Sequence, residues 1–273
     1  MRREIPDGNH LQMTNDTHER IDVVSLRDQG RSYQLLLRRN DHLSEFIRSV
    51  ERPYEFSLLR MSRTLLSPGD IVVDVGASIG NHTLYWSEVA DATVVAFEPY
   101  PPALKILRHN VELNAAGARV QIHPLAVGSS AGCATMELPE SSNIGSARAV
   151  PASAGEVTVT TLDGEVDTSK LVRLLKIDVE GSELSVLKGA TRLLVQRPAL
   201  ILEAHTREQR RLLDAFLRPF GYRRLPISVA DSPTFFYLTS LREFTGLLRS
   251  AAFWEATAGA VIRRLHRWLR PAT

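Results

Sequence analysis

Two glycines flanked by acids could seat a nucleoside. Residues 72–83 read VVDVGASIGNHT: an apolar strand ends at Asp74, and Gly76 and Gly80 follow, four apart. Glycines let backbone come close to a ligand, and a helix opening at Gly80 would aim its N–H groups at it. Glu98 ends the next apolar run, TVVAFE, eighteen residues after Gly80. An acid there can accept hydrogen bonds from both hydroxyls of a ribose. Glycine-rich turns commonly hold phosphate, but Asp74 puts negative charge where a phosphate would rest. The P-loop string G-x-x-x-x-G-K-[ST] is missing. The dinucleotide spacing G-x-G-x-x-G is not met either, and Ser78 stands where pyrophosphate would press on backbone.

S-adenosylmethionine is a better guest. It has no phosphate, and its ammonium and sulfonium favour a carboxylate nearby. Asp74, Gly76, Ala77, Ser78, Gly80, Glu98 and Pro99, with Leu125 and Ala126 beyond the third strand, are the candidate cofactor contacts. NAD, and a strand–turn–helix junction that binds nothing, remain as alternatives.

The elements that must position these residues alternate along the chain. IDVVSL and SYQLLL, separated by RDQG, predict a hairpin. Apolar spacing over 42–66 predicts one or two helices. Strands are expected at DIVVDV (70–75), TVVAFE (93–98), RVQI (119–122), LLKIDV (174–179) and ALILEA (199–204), with PTFFYLT (233–239) closing the sheet. Helices are expected over 81–90, from Pro101 onward, over 206–218, and from a Ser182 cap with Leu184, Leu187 and Leu194 inside. Such alternation implies an α/β fold with a mainly parallel sheet covered on both faces. Residues 129–165 break the pattern and read as a β-rich insertion. The expected division is an N-terminal extension (1–54), a catalytic domain (55–240) and a C-terminal helical tail (241–273).

The strings VVDVGASIGNHT, VVAFEPYPP, TLD (161–163), KIDVEGSELSVLKGA (176–190) and PALILEAH (198–205), in this order, resemble the FkbM family of S-adenosylmethionine-dependent methyltransferases. The likeness covers roughly residues 55–240, and KIDVEG is its most specific part. It implies the Rossmann-like class I methyltransferase fold, seven strands with an antiparallel last hairpin. It also implies O-methylation, often of sugars or secondary metabolites, hence a small-molecule or glycan acceptor.

A hydroxyl acceptor loses a proton as it gains a methyl group, so a placed base would help. Asp178 and Glu180 of KIDVEG fall on one side of their strand by alternation, and Glu203 and His205 share a side of the neighbouring one. Asp178 is the favoured cofactor- or acceptor-contacting carboxylate, with Glu203 as the second acid; Glu180 and His205 are candidate acceptor contacts. The plainer reading of each acid is a helix cap or a partner for Lys176 or an arginine. For His82 and His205 it is a structural or exposed imidazole. No metal ligand is assigned: Mg²⁺ at Asp178, Glu203 and a histidine is permitted but not required. SSNIGSA (141–147) lies near an Asn-x-Gly that the resemblance implies, and Asn143 and Ser146 are the acceptor contacts expected on that loop.

Composition limits the partners. With 44% hydrophobic and 23% charged residues the chain is ordinary for a globular protein. MRREIPDGNH lacks a signal-peptide core, and Cys133 is the only cysteine, which together favour the cytoplasm. The net charge of +2 is uneven: residues 241–273 carry +4 and the rest −2, so the body is not a nucleic-acid surface. In the tail, Trp254, Ala258, Val261, Ile262, Leu265, Trp268 and Leu269 share a helical face, and Arg263, Arg264, Arg267 and Arg270 surround it. That pattern suits peripheral contact with anionic membrane; packing on the chain's own domain or on a second subunit is the alternative.

Overall fold

The computed structural model describes residues 21–39, 41–138, 143–226, 228, 232–255 and 257–258. The arginine-rich face expected in the tail, from Val261 on, and residues 1–20 lie outside the described residues.

The hairpin forms as expected: β1 (Ile21–Asp28) and β2 (Arg31–Arg38) pair antiparallel with Asp28 opposite Arg31. Gln29 and Gly30 both take positive φ (49° and 79°), the conformation of a two-residue turn that matches strand twist. Two helices follow. In α1 (His42–Val50) the Asp41 carboxylate caps the Ser44 N–H at 3.0 Å; α2 is Phe56–Arg63.

The alternating part begins with β3 (Ile71–Val75). The helix expected over 81–90 starts as α3 (Asn81–Leu84) and widens into a π-turn over Tyr85–Val89. Then come β4 (Thr93–Phe97), α4 (Pro101–Leu113) and β5 (Val120–His123). Asn110 of α4 and Asn114, its C-cap, use their side-chain amides as a substitute strand. Each bonds the β2 backbone, at Leu36 N (2.6 Å) and Gln34 N (2.7 Å), which docks the hairpin edge.

The insertion is a four-stranded sheet of β6 (Ala126–Val127), β7 (Gly132–Glu137), β8 (Arg148–Ala152) and β9 (Val157–Thr160), in the order β6-β9-β7-β8. It begins earlier than expected, at Ala126, and residues 162–165 form a helical turn, α5 (Leu162–Glu165), in place of strand.

The chain then runs through β10 (Val172–Ile177), α6 (Glu183–Lys188), α7 (Thr191–Val195), β11 (Ala199–Glu203), α8 (Arg207–Leu217), β12 (Arg223–Arg224), β13 (Thr234–Leu238) and α9 (Leu241–Arg249). The single helix expected after Ser182 is broken between α6 and α7. A Cβ on Gly189 would collide with the Gly128 carbonyl, so the chain must pass there as glycine and the helix stops. Ser182 stands at the N-cap but its side chain makes no capping bond.

The main sheet has seven strands in the order β12-β13-β11-β10-β3-β4-β5, parallel from β11 to β5. β13 runs antiparallel to both its neighbours. Expected to close the sheet, it lies instead between β11 and β12, and β12 is the edge. Side-chain alternation divides the core. Val72, Leu174 and Ile201 pack on one face with the hairpin residues Leu26, Leu35 and Leu37; Val73, Leu175 and Leu200 pack on the other with α6, α7 and α8. The strand order reverses between β3 and β10, and ligands of open α/β sheets bind beyond the strand ends at such a point.

Candidate functional site

Both faces of that reversal are shaped by one glycine. Gly76 has φ +81°, and a Cβ there would collide with the backbone carbonyl oxygen of Asp178. The β3 turn and the β10 turn can touch only because no side chain separates them. Gly80 has φ +91°, and its Cβ would stand 2.7 Å from Leu107 Cδ1. Gly76→Ala is therefore expected to destabilise the fold by roughly 2–4 kcal/mol, from left-handed strain plus overpacking. Chemical denaturation checks this, and a wild-type midpoint would sink it. The first atom such a side chain meets is protein, before any ligand.

Glu98, at the end of β4, is buried. Its two oxygens accept the Ser78 N–H (2.7 Å) and the Tyr100 N–H (2.8 Å). Burial pushes its carboxyl up to about 7, against the pull of those two N–H groups. Beside it lies a cavity of about 310 Å³. Gly76, Ser78, Glu98, Pro99, Leu125, Ala126 and Asp178 all line it, and β7 and β8 of the insertion roof it with Ala134 and Ala149. The buried Ser78 hydroxyl has no hydrogen-bond partner among the described residues.

Asp74 departs from its expected place. It is fully buried and lines neither this cavity nor the next. Lys176, its direct cross-strand neighbour on β10, places Nζ 3.2 Å from Asp74 Oδ1, and Thr83 Oγ1 donates to Oδ2 at 2.6 Å. The carboxylate serves a buried ammonium of the protein and not that of a ligand. Lys176 Nζ also donates to Gly76 O (2.7 Å) and lies 3.6 Å from Asp178 Oδ2. Burial alone would push the ammonium pKa down, but Asp74 and then Asp178 outweigh it and the net shift is upward.

A second, smaller and more polar cavity of about 130 Å³ adjoins the first, and the two share Gly76, Ser78, Gly145 and Asp178. Glu180, Glu203, Asn143 and Ala77 line the smaller one, so the structure brings Asp178, Glu180 and Glu203 together as alternation implied. Glu203 is buried, and burial, then Asp178 and Glu180, push its carboxyl well up. Two expected acceptor contacts are displaced. Ser146 lines neither cavity; its hydroxyl donates to Asn143 O at 2.8 Å, closing the loop on itself, and Gly145 faces the cavity instead. His205 is half exposed and lines neither, but its Nε2 is 3.0 Å from Glu203 Oε2.

The same wall holds residues that spacing did not single out. His42, Tyr54 and Ser232 line the small cavity; beside them stands His82, already weighed from the sequence, with its Nε2 3.3 Å from the buried Glu55. Burial would raise the Glu55 carboxyl, but the hydrogen bond and charge of His82, then Ser232, leave it below its ordinary value. Asn81 Oδ1 and Nδ2 bind Tyr54 N and O, both at 3.1 Å. No local pattern marks these partners, because each pair joins segments far apart in the chain.

Residues 74–224 match the family model described as the methyltransferase FkbM domain. The hexuronic acid methyltransferase AglP of Haloferax volcanii is 31% identical over 170 residues, 58% of this chain and 69% of that protein. Methyltransferase 1 of Beauveria bassiana is 29% identical over 142 residues, 43% of this chain and 57% of its own. Methyltransferase sdnD of Sordaria araneosa is 31% identical over 159 residues, 45% and 61% of the two chains. The matched span contains the glycine turn, Glu98, Asp178 and Glu203, and the reading as an NAD enzyme gives way to a methyltransferase. This chain belongs to the FkbM methyltransferase family and is an S-adenosylmethionine-dependent methyltransferase.

Proposed function

We propose that the protein methylates a hydroxyl group of a sugar or sugar-bearing acceptor. The observation that carries this is the junction of the two cavities at Gly76, Ser78, Gly145 and Asp178. The larger cavity has the chemistry of a nucleoside site. Glu98 accepts from the ribose hydroxyls, Pro99, Leu125 and Ala126 flank the base, and the unpartnered Ser78 hydroxyl meets the amino-acid part. A carboxylate has about four lone-pair sites, so Glu98 keeps room for ribose beside its two backbone donors. Bound there, S-adenosylmethionine supplies a methyl group on a good leaving group. Asp178, on the wall of both cavities, accepts the proton of the acceptor hydroxyl. The polar wall of the smaller cavity, with Glu180, Glu203 and Asn143, orients that hydroxyl. His42 and Tyr54 lie before the family-matched span, so the N-terminal extension shapes the acceptor wall. The relative named for hexuronic acid supports a sugar acceptor.

Incubation with labelled cofactor and a panel of hexuronic acids, hexosides and metabolite extracts tests the reading. Product isolated by mass spectrometry and NMR should carry the methyl group on a hydroxyl oxygen. Methyl found on nitrogen or carbon would overturn it.

Glu98 makes cofactor binding depend on pH. The ribose donors need the carboxylate, so affinity should rise through about pH 7, roughly tenfold between about pH 6 and about pH 8. Without cofactor the sign for stability is opposite: a carboxyl raised from 4.5 to about 7 favours the folded state at low pH, and that contribution is lost as pH rises through about 7. Glu98→Ala should weaken binding by ~1–3 kcal/mol, and Glu98→Gln should flatten the pH dependence. Calorimetry of both variants decides it; wild-type affinity in Glu98→Ala would remove Glu98 from the cofactor site.

A further inference from the structure

We propose that Glu180, Glu203 and His205 bind one divalent first-row cation of the Mn²⁺ or Fe²⁺ type at the rim of the smaller cavity. One ligand atom from each of the three lies within 4.8 Å of the other two. Glu203 Oε2 and His205 Nε2 are 3.0 Å apart, and His205 Nε2 and Glu180 Oε2 are 4.0 Å apart. Two ligands at right angles on a metal, with bonds of ~2.1 Å, stand ~3.0 Å apart, and opposed ones stand ~4.2 Å apart. The first pair therefore has the spacing of adjacent ligands and the second nearly that of opposed ones.

A second observation points to a ligand. Glu203 is only 5% exposed, yet its Oε2, aimed into the cluster, receives no well-formed hydrogen bond among the described residues: the His205 Nε2 at 3.0 Å lacks the angle for one. A buried carboxylate oxygen without a donor is costly. The buried Lys176 ammonium, which lines the same cavity, is already engaged by Asp74, Asp178 and Gly76 O. A bound cation would satisfy this oxygen and offset the convergence of Asp178, Glu180 and Glu203.

The ligands are also held. His205 sits between Ala204, whose N–H bonds Pro233 O at 2.9 Å, and the Thr206–Gln209 capping box of α8. Glu180 rides a turn pinned by Glu183 Oε1, which accepts from Val179 N and Gly181 N. The partial exposure of Glu180 and His205 leaves an entry path and open positions for water. One imidazole with two carboxylates favours Mn²⁺ or Fe²⁺ over Mg²⁺, which prefers oxygen alone. Given the acceptor site proposed above, on which this role rests, an acceptor oxygen could take an open position and become more acidic as a Lewis-base ligand. The cation site itself does not depend on that reading.

The test uses the full purified chain, stripped with EDTA and titrated with Mn²⁺, with free Mn²⁺ counted by its electron paramagnetic resonance signal. One Mn²⁺ should bind per chain. Glu203→Gln and His205→Gln should each weaken binding at least ~10-fold, with wild-type circular dichroism and unfolding temperature, and the surface variant Glu208→Gln should bind as wild type. No saturable binding, or equal binding by wild type and both ligand variants, overturns the site; His205 then serves only as an ion-pair partner of Glu203. Methyl transfer that persists without Mn²⁺ binding would end this proposal and leave the methyltransfer reading standing. Mn²⁺ binding without transfer to any hydroxyl would do the reverse.

Discussion

Asparagine in place of Asp178 is expected to lower turnover by at least ~10²-fold, and by up to ~10⁴-fold, while the fold survives. Asn has the shape of Asp but cannot take up the proton of an acceptor hydroxyl. The backbone at this position is anchored independently of the side chain, because Asp178 N donates to Val75 O at 3.1 Å and its carbonyl packs on Gly76. Lys176 keeps its closer partner, Asp74, at 3.2 Å. Turnover should therefore fall far more than cofactor affinity. The check is kcat with an accepted hydroxyl substrate beside a calorimetric Kd for the cofactor. A hundredfold loss corresponds to about 2.7 kcal/mol of transition-state stabilisation. Unchanged kcat would take Asp178 out of the chemistry; an equal loss in Kd would make it a binding residue.

Lys176→Met is expected to cost ~3–5 kcal/mol of stability, because it leaves Asp74 buried and charged without its counter-ion. Asp74 is 0% exposed, so water cannot take the place of the ammonium, and the Thr83 hydroxyl alone would remain. In a chain of this length the loss amounts to roughly 10 °C in Tm. The double variant Asp74→Asn, Lys176→Met should recover much of it, since removing both charges removes the uncompensated one. Chemical denaturation of the two singles and the double gives the coupling energy directly. Additive losses would show that the pair does not act as a unit.

The same pair marks where local reading ended. The apolar run before Asp74, the two glycines after it and the alternation of strand with helix were legible, and they led to the correct sheet and the correct turn. The use of Asp74 was not. Its partner stands about a hundred residues away, and the two meet only because β10 pairs with β3 in a register that sets Lys176 opposite Asp74. The glycine at 76 was legible as a tight turn, but the surface it must clear belongs to the Asp178 turn, which no local pattern shows. On the acceptor side Asn143 lines the smaller cavity and Ser146 does not, because a three-residue turn spends the Ser146 hydroxyl on its own backbone.

What the sequence determined by itself is what short-range physics encodes. Periods of two and of three to four residues name strands and helices. Gly and Pro name turns and helix starts, as in the Gln29-Gly30 hairpin and the opening of α4 at Pro101. The order of the acids along the chain carries the family motif. The tertiary structure alone decided which charges neutralise each other, which cavity each acid faces, and that Tyr54, His82 and Ser232 share one wall with Glu55 behind His82 and Ser232. It also decided that β13 enters the sheet between β11 and β12. The physical reason is that contacts between distant segments are selected by the total free energy of packing and of buried polar satisfaction. No window of ten or fifteen residues contains those terms.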